Sequence, residues 1–203
     1  MLANEAQSAA EAEYRARQLR FDREAESHAA RSRTLSNLRG LAFAIFIVSL
    51  LLGIFGKSGG IPGVVSLAGF IAFFALVIWH SRVLADEDLA RRFARVNRDA
   101  LLRISGKFAE LGETGARFAD PKHPYTDDLD VFGQGSLFQR VSVAHTRFGQ
   151  EKLAEFFREP AAADLIRERQ IAVHALAPLL DVRQRIEALA LGVVDPGAKR
   201  KEP

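Results

Sequence analysis

Two uncharged stretches of sequence, GLAFAIFIVSLLLGIFG at residues 40–56 and IPGVVSLAGFIAFFALVIW at residues 61–79, decide the fold. A transmembrane helix needs about 20 predominantly apolar residues, within a range of about 17 to 25. Surface helices of soluble proteins carry polar residues every few positions, and neither stretch does. The pattern therefore predicts a hairpin of two transmembrane helices over residues 39–80. The alternative, two buried helices of a soluble protein, would require far more surrounding chain.

A short turn with the sequence GKSGGIP, at residues 56–62, separates the two stretches. Gly and Pro favour turns, so the two helices are expected to be antiparallel neighbours. Small residues recur on both helices at spacings of three or four, which lets helices approach closely in lipid. The general frequency of small residues in membrane helices explains the pattern equally well. These residues are Ser49, Gly53, Ser66, Gly69 and Ala72.

Positive charge flanks the predicted hairpin on both sides and is sparse in its turn, which holds only Lys57. The flanking arginines are Arg31, Arg33 and Arg39 before it, and Arg82, Arg91 and Arg92 after it. Because Lys and Arg concentrate on the cytoplasmic side, both termini are predicted to be cytoplasmic. Trp79 and His80 stand where residues of an interfacial belt are expected. The predicted location is the inner membrane, with membrane lipid as a partner.

The composition excludes several classes of protein. The 203 residues include no cysteine, which excludes disulfides and thiolate metal sites. A net charge of +3 is mild for a nucleic-acid-binding protein, which usually clusters Lys and Arg on one face. The first 36 residues are highly charged, so no cleavable signal peptide is expected.

Helical patterns flank the hairpin. Residues 1–38 are rich in Ala, Glu and Arg, which favours a charged cytoplasmic helix with a weak heptad row. Residues 81–105 are predicted to continue the second helix, and pairing of residues 14–36 with 82–104 would extend the hairpin. The heptad row is Tyr14, Gln18, Phe21, Ala25, His28, Ser32 and Leu35, and the apolar face of the second segment is Leu89, Phe93, Val96, Ala100 and Ile104.

Five arginines lie on the other faces of this second segment: Arg91, Arg92, Arg95, Arg98 and Arg103. They fit a solvated face that is attracted to anionic lipid headgroups. DNA binding by the same row is the alternative.

The remaining chain is predicted to be a linker followed by short helices. Residues 106–135 are rich in Gly and Pro and read as a linker, with a short extended piece around residues 129–132. Ser136 is predicted to cap a helix through Val143 and Thr146 a second one to Arg158. Asp164 is predicted to cap a third helix and Pro178 to start a last one that ends at Gly192. Residues 193–203 are predicted to be a disordered tail.

Two short motifs imitate ligand sites without completing them. Gly56, Lys57 and Ser58 match the end of a phosphate-binding loop, but Leu51 stands where that motif needs its first Gly. A calcium-like loop begins at Asp128, but its twelfth position is Gln139 instead of a bidentate acid. The five histidines are scattered, and no acid–base pair can be assembled. The chain therefore shows no catalytic, cofactor-binding or metal-binding residues of its own.

Residues 123–191, which begin HPYTDDLDVFGQGSLFQRVSVAHTRFGQEKLAEFFREP, carry a family resemblance. They resemble the opening of the helical core domain of the MutS family of DNA mismatch repair ATPases. The matching order is a Gly-Ser-Leu-Phe step, a Thr with Gly three residues later, a Leu-rich helix ending near Pro, and an Ile-x-x-Arg segment. The matching residues are Asp130, Gly133, Gly135, Ser136, Leu137, Phe138, Thr146, Gly149, Leu153, Pro160, Ile166, Arg169 and Gln170. The sequence of this stretch is most similar to a bacterial branch of MutS-like proteins that carries a two-helix membrane anchor.

The resemblance implies a fold and a function. The fold is all-α: a transmembrane hairpin, cytoplasmic helices and, over residues 136–192, the start of a MutS-like core. The matching residues are expected to determine the fold, with Ser136 and Thr146 as caps, Gly149 at a close packing point, and Leu137, Phe138, Leu153 and Phe157 in the core. ATP and Mg²⁺ are implied only for a full-length family member, because no Walker motif of an ATPase domain occurs in these residues.

One feature of the family is missing from this sequence, and the resemblance allows more than one partner. The family's mismatch reader, a Phe-x-Glu element in an N-terminal domain, has no counterpart here, because the membrane hairpin stands in the place of that domain. The resemblance therefore implies the N-terminal part of a MutS-like protein without mismatch sensing. DNA, through the full-length protein, and a second copy in a homodimer are the macromolecular partners that it allows. A small membrane adaptor that acts through its cytoplasmic helices, with no nucleic-acid role, is the alternative function.

Overall fold

The computed structural model describes residues 2–56 and 60–193, and every regular element within them is helical. The α-helices are α1 (Leu2–Phe55), α2 (Ile61–Ile104), α3 (Leu137–Val141), α4 (Arg147–Arg158), α5 (Ala163–Leu176) and α6 (Leu180–Ala190). Two 3-10 turns, Phe108–Glu110 and Ala116–Phe118, lie between α2 and α3. The all-α prediction is confirmed for the described residues, which contain no strand.

The first two helices run without interruption through the predicted boundaries at residues 38 and 80. The interior of α1 has no Pro, and its interior glycines, Gly40 and Gly53, are tolerated. The predicted turn residues 57–59 and the predicted tail residues 194–203 lie outside the described part of the chain.

The chain forms two compact units. We call Phe21–Arg91 the hairpin unit, and Met1–Arg20 together with Arg92–Pro203 the headpiece. The hairpin unit holds the two apolar stretches, and the headpiece holds α3 to α6 with the outer ends of α1 and α2.

Within the hairpin unit, α1 and α2 are antiparallel and meet through small side chains. Ser66 donates a hydrogen bond to the Phe46 carbonyl oxygen at 3.4 Å, and Ser32 Oγ lies 3.4 Å from His80 Nε2. A Cβ atom built on Gly69 would lie 3.1 Å from the Phe46 amide nitrogen, so the backbones nearly touch at this point. Of the predicted small-residue stripe, Ser49, Ser66 and Gly69 are buried, whereas Gly53 and Ala72 are exposed.

Both helices of the hairpin unit expose large apolar side chains along their apolar stretches. Only 6% of the most apolar window of α1, and 11% of that of α2, is buried. Both helices are long and apolar enough to cross a membrane by length and composition. Helices of a soluble core would be mostly buried, so these exposures disfavour that alternative.

The headpiece is organised around the contact of α6 with the last turns of α2. Ala188 of α6 and Val96 of α2 are buried. Between the two helices lies a buried amide pair, in which Gln184 Nε2 donates to Asn97 Oδ1 at 2.7 Å and Asn97 Nδ2 donates to Gln184 Oε1 at 3.5 Å. Asn97 Nδ2 also donates to the Phe93 carbonyl oxygen at 2.8 Å.

The first helix reaches the same α6 through Arg17. Its guanidinium Nη1 donates to Asp181 Oδ1 at 2.5 Å and to Gln184 Oε1 at 3.3 Å. The hydrogen bond and charge of Arg17 lower the pKa of the exposed Asp181 carboxyl below its ordinary value. The hydrogen bonds that Arg17 donates to Glu13 and, second, to Asp181 raise its pKa. These contacts tie α6 to the N-terminal part of α1 within the headpiece.

We expect Asn97→Ala to destabilise the packing of α6 on α2 by about 1 to 3 kcal/mol. The reason is that the buried Gln184 Nε2 loses its acceptor, Asn97 Oδ1, and keeps its desolvation cost. Hydrogen–deuterium exchange of α6 amides in the full chain measures this. The double variant N97A/Q184A removes both amides and should be less destabilised than the sum of the two single variants. Additive single effects would contradict the pairing.

The segment predicted as a linker, residues 106–135, packs against α3 in the structure. Gln139 Nε2 donates to the carbonyl oxygens of Ala109 and Leu111, at 3.3 and 2.6 Å. Thr126 and Val131 are buried. Turns replace the extended piece expected around residues 129–132, because the Val131 amide closes a turn onto the Thr126 carbonyl oxygen at 2.9 Å.

Two of the four predicted helix starts are correct and two are not. Ser136 and Thr146 cap α3 and α4. Asp164 is not a cap, because α5 begins one residue before it and Asp164 lies in the first turn, where it pairs with Arg167 at 2.5 Å. The last helix begins at Leu180 instead of Pro178, and its N-cap Leu179 makes no side-chain cap.

Candidate functional site

The Gly-Ser-Leu-Phe step forms a capping arrangement at the start of α3. Ser136 Oγ accepts a hydrogen bond from the Gln139 amide at 3.2 Å, and Gln139 Oε1 accepts from the Gly135 amide at 2.7 Å. This resembles a capping box, in which two backbone donors at a helix start are satisfied reciprocally. Gln139 is almost completely buried, and it holds the preceding loop with its remaining donors.

Phe138 is the centre of an aromatic cluster in the headpiece and is fully buried. Its ring centroid lies 5.6 Å from that of Phe118, 5.8 Å from that of Phe132 and 6.4 Å from that of Phe157. A Cβ atom on Gly115 would lie 2.6 Å from the Phe138 ring, so this position requires glycine. The predicted core role of Phe138 is therefore confirmed.

The residues just before α3 form a turn that needs the left-handed backbone region. Asp130, Gly133 and Gly135 have φ angles of 47°, 112° and 75°. The Asp130 carbonyl oxygen accepts from the Leu137 amide at 3.1 Å, and the Gly133 amide donates to the Thr114 carbonyl oxygen at 2.9 Å. These matching residues fix the loop that delivers Phe138 to the core.

The Thr-x-x-Gly pair begins α4. Thr146 Oγ1 accepts from the Gly149 amide at 3.2 Å. A Cβ atom on Gly149 would lie 3.1 Å from that Oγ1 and 3.3 Å from the Ala144 side chain, so the glycine packs closely against its own cap instead of against another helix. Leu153 is half-buried, and the fully buried side chain of this helix is Ala154.

The other matching residues lie on the surface of the headpiece. Leu137 is 44% exposed, so its predicted place in the core is wrong; α3 is too short to bury more than one side, and Phe138 occupies that side. Arg169 stacks over the Phe156 ring at 3.8 Å. Pro160, Ile166 and Gln170 are exposed.

A polar cleft of about 310 Å³ lies beside the capping arrangement in the headpiece. One wall is a single face of α2, with Arg95, Asp99 and Arg103 at successive four-residue steps. The rest of the lining includes Gln139 and Gln150. The cleft therefore presents donors and acceptors, together with charges of both signs.

Some charged groups of the cleft have an oppositely charged partner, and others do not. The buried Asp99 carboxylate lies 3.7 Å from Arg95 and 3.8 Å from Arg98. His145 Nε2 lies 3.1 Å from Glu187 Oε1. Arg103 donates from Nη2 to the Ser142 carbonyl oxygen at 2.6 Å, and its buried Nε has no hydrogen-bond partner within residues 2–56 and 60–193.

Large apolar side chains are exposed on both α5 and α6. No side chain of α5 is buried. On α6, Val182, Ile186 and Leu189 follow at spacings of four and three and share one exposed face. Exposed apolar patches of this kind mark interaction surfaces.

The site residues do not assemble a catalytic arrangement. The matching residues bring the loop before α3 and the starts of α3 and α4 together, whereas Ile166, Arg169 and Gln170 stand apart on α5. No group of three His, Cys, Asp or Glu side chains that could hold a metal ion occurs within residues 2–56 and 60–193. Protein-family models, curated proteins and solved structures were each compared with the chain, and none matches it.

The sequence did not predict which side chains line the cleft or form the contact between α2 and α6. Gln139 could have been found, because it stands three residues after the cap Ser136, as the capping-box pattern requires. Asn97, Gln184 and Arg103 could not, because their partners lie 39 to 87 residues away.

Proposed function

We propose that this chain anchors a cytoplasmic helical headpiece to a membrane, and that the headpiece is the start of the core of a MutS-like ATPase. The observation that carries the anchoring role is the exposure of the apolar side chains on both long helices of the hairpin unit. Such an exposed apolar surface is stable in lipid and aggregates in water. The distribution of arginine favours cytoplasmic termini at the inner membrane.

The MutS-like part of the proposal rests on the order and spacing of the matching residues. Their behaviour supports it, since Ser136 and Thr146 act as caps and Phe138 as core. In this proposal the headpiece serves as structure and not as a catalyst. DNA, a second copy of the chain, ATP and Mg²⁺ would all be engaged through a full-length protein.

The topology is tested by labelling single cysteines, because the natural chain contains none. We expect a maleimide that cannot cross membranes to label Gly60→Cys in intact cells and to label Ser27→Cys and Ser105→Cys only after the membrane is opened. All three sites are exposed, and a side chain at Gly60 meets no atom within 4 Å. Labelling of Ser27→Cys or Ser105→Cys in intact cells would contradict the proposed orientation.

We expect the purified chain to hydrolyse no ATP above the detergent blank. Gly56, Lys57 and Ser58 lack the first glycine of a phosphate-binding loop, and Leu51 takes its place. The measurement is phosphate release by the chain and by its Lys57→Ala variant. Activity that the variant loses would show that the turn binds nucleotide and would overturn this part of the proposal.

A membrane adaptor without any nucleic-acid role is the second candidate, and the open apolar face of α5 and α6 favours it. DNA binding separates the two proposals. Phosphate contacts would make the logarithm of the binding constant fall linearly with the logarithm of salt concentration. A P-loop domain encoded downstream in the same reading frame would support the MutS-like proposal, and a stop codon without one would support the adaptor.

A further inference from the structure

We propose that the polar cleft of the headpiece binds a small molecule through a phosphate or carboxylate group held at Arg103. This inference depends on neither of the two proposed functions, because it uses only the charges and cavity of the headpiece. The two arginines that line the cleft, Arg95 and Arg103, differ in whether a carboxylate lies beside them.

Arg95 and Arg103 have different surroundings although they lie on the same face of α2. Arg95 has the carboxylate of Asp99 at 3.7 Å. Arg103 has no carboxylate within 4 Å in the described part of the chain, and its hydrogen bond goes to the neutral Ser142 carbonyl oxygen. Buried charges in proteins are normally paired with an opposite charge, and burial of part of the Arg103 side chain makes such a partner favourable. Arg103 is therefore a partly buried cation without a carboxylate partner among the described residues.

The buried Nε of Arg103 adds a second requirement. This donor is shielded from solvent and finds no acceptor among the described residues. A buried donor without an acceptor is costly, and an oxyanion is the acceptor that a guanidinium binds best. A small rotation of the side chain toward the cleft would present both Nε and the free proton of Nη2 to one ligand.

The cleft has the size and polarity for such a ligand. Its volume of about 310 Å³ is at the lower end of the range for small-molecule sites, roughly 300 to 1,000 Å³. Gln139 and Gln150 also line the cleft, and hydrogen bonds to the carbonyl oxygens of Leu111 and Ala144 hold their amides in place as part of its wall. Glu113 also lines the cleft, with its Oε1 accepting from the Gly115 amide at 2.9 Å, and it limits how much negative charge a ligand can carry. A mono-anion with polar substituents fits these groups best.

Binding is measured by isothermal titration calorimetry on the full chain in a detergent without phosphate. The probes are inorganic phosphate at about pH 6, where the mono-anion dominates, and, separately, lactate, a carboxylate mono-anion with a hydroxyl group, with sodium chloride holding the ionic strength constant. We expect saturable binding of at least one probe; the stronger of the two identifies phosphate or carboxylate as the preferred group. Absence of saturable binding by both probes overturns the proposal.

Three variants locate the anion. Arg103→Gln should weaken binding roughly tenfold or more, because a charge-assisted hydrogen bond is lost. Arg183→Gln is the matched control, since Arg183 also donates to a backbone carbonyl oxygen, that of Ala177, and does not line the cleft. Glu113→Gln removes a negative charge from the wall and should tighten binding roughly two- to fivefold. If Arg103→Gln does not fold, Glu113→Gln alone tests whether the anion binds in the cleft. Unchanged binding in Glu113→Gln then overturns the proposal. If Arg103→Gln folds, unchanged binding in that variant overturns the proposal whatever Glu113→Gln does.

Discussion

Replacing Phe138 by alanine is expected to lower the free energy of unfolding of the headpiece by about 3 to 5 kcal/mol. Phe138 is fully buried and touches three other aromatic rings, so its loss combines transfer of apolar surface with a cavity. Whole domains are stable by only about 5 to 15 kcal/mol. The variant should therefore open the 108–158 region frequently. Hydrogen–deuterium exchange of amides in that region, in the detergent-solubilised full chain, measures the change.

Phe148→Ala is the matched control for this experiment. Phe148 lies on α4 in the same region but is 78% exposed, so its truncation should alter the free energy of unfolding by no more than about 0.5 kcal/mol. Equal amide exchange in the two variants would mean that Phe138 does not organise the headpiece. The comparison separates the cluster from a general effect of losing an aromatic ring.

Replacing Gly69 by leucine is expected to push α1 and α2 apart in the hairpin unit. A Cβ atom at residue 69 would lie 3.1 and 3.2 Å from the backbone N and Cα of Phe46, and 3.3 Å from the Ala42 carbonyl oxygen. Backbone atoms cannot turn aside as a flexible side chain can, so the two helices must separate. Overpacking of this kind costs about 1 to 3 kcal/mol, and a whole leucine side chain should reach the upper part of that range.

Sodium dodecyl sulfate titration of the purified chain measures this effect, with fluorescence of Trp79 as the reporter because it is the only tryptophan. Gly63→Leu is the control: it adds the same side chain to the same helix, where an added Cβ atom meets nothing within 4 Å. We expect a lower midpoint for Gly69→Leu alone. Equal midpoints would show that the close approach at residue 69 does not hold the pair together.

Local sequence signals predicted the helical elements well. The caps Ser136 and Thr146 were correct because a hydroxyl that accepts from an amide three residues later is a contact within one turn. The seven residues of the heptad row are all buried or half-buried, with Ala25 and Leu35 the most buried. The cap prediction for Asp164 failed because an acid in the first turn stabilises a helix start in the same way without being the cap.

Contacts across the headpiece were beyond prediction from one sequence. Residues 106–135 were predicted to be a linker because glycine and proline interrupt any helical or strand periodicity. In the structure the side chain of Gln139 nevertheless binds two of their carbonyl oxygens, those of Ala109 and Leu111. The cleft arises because Arg103 meets Ser142 across 39 residues of chain. Leu137 was expected in the core because it matches the family pattern, and that pattern does not say which side of a five-residue helix faces inward.

The amide pair of Asn97 and Gln184 has a consequence for alignment. If α6 slid along α2 by one helical turn, Ala188 or Leu180 would stand opposite Asn97. The hydrogen bonds between the buried amides of Asn97 and Gln184 would then be lost. A seam of apolar side chains tolerates such a slip, because any hydrophobic side chain can replace another. The pair therefore favours a single register of α6 against α2.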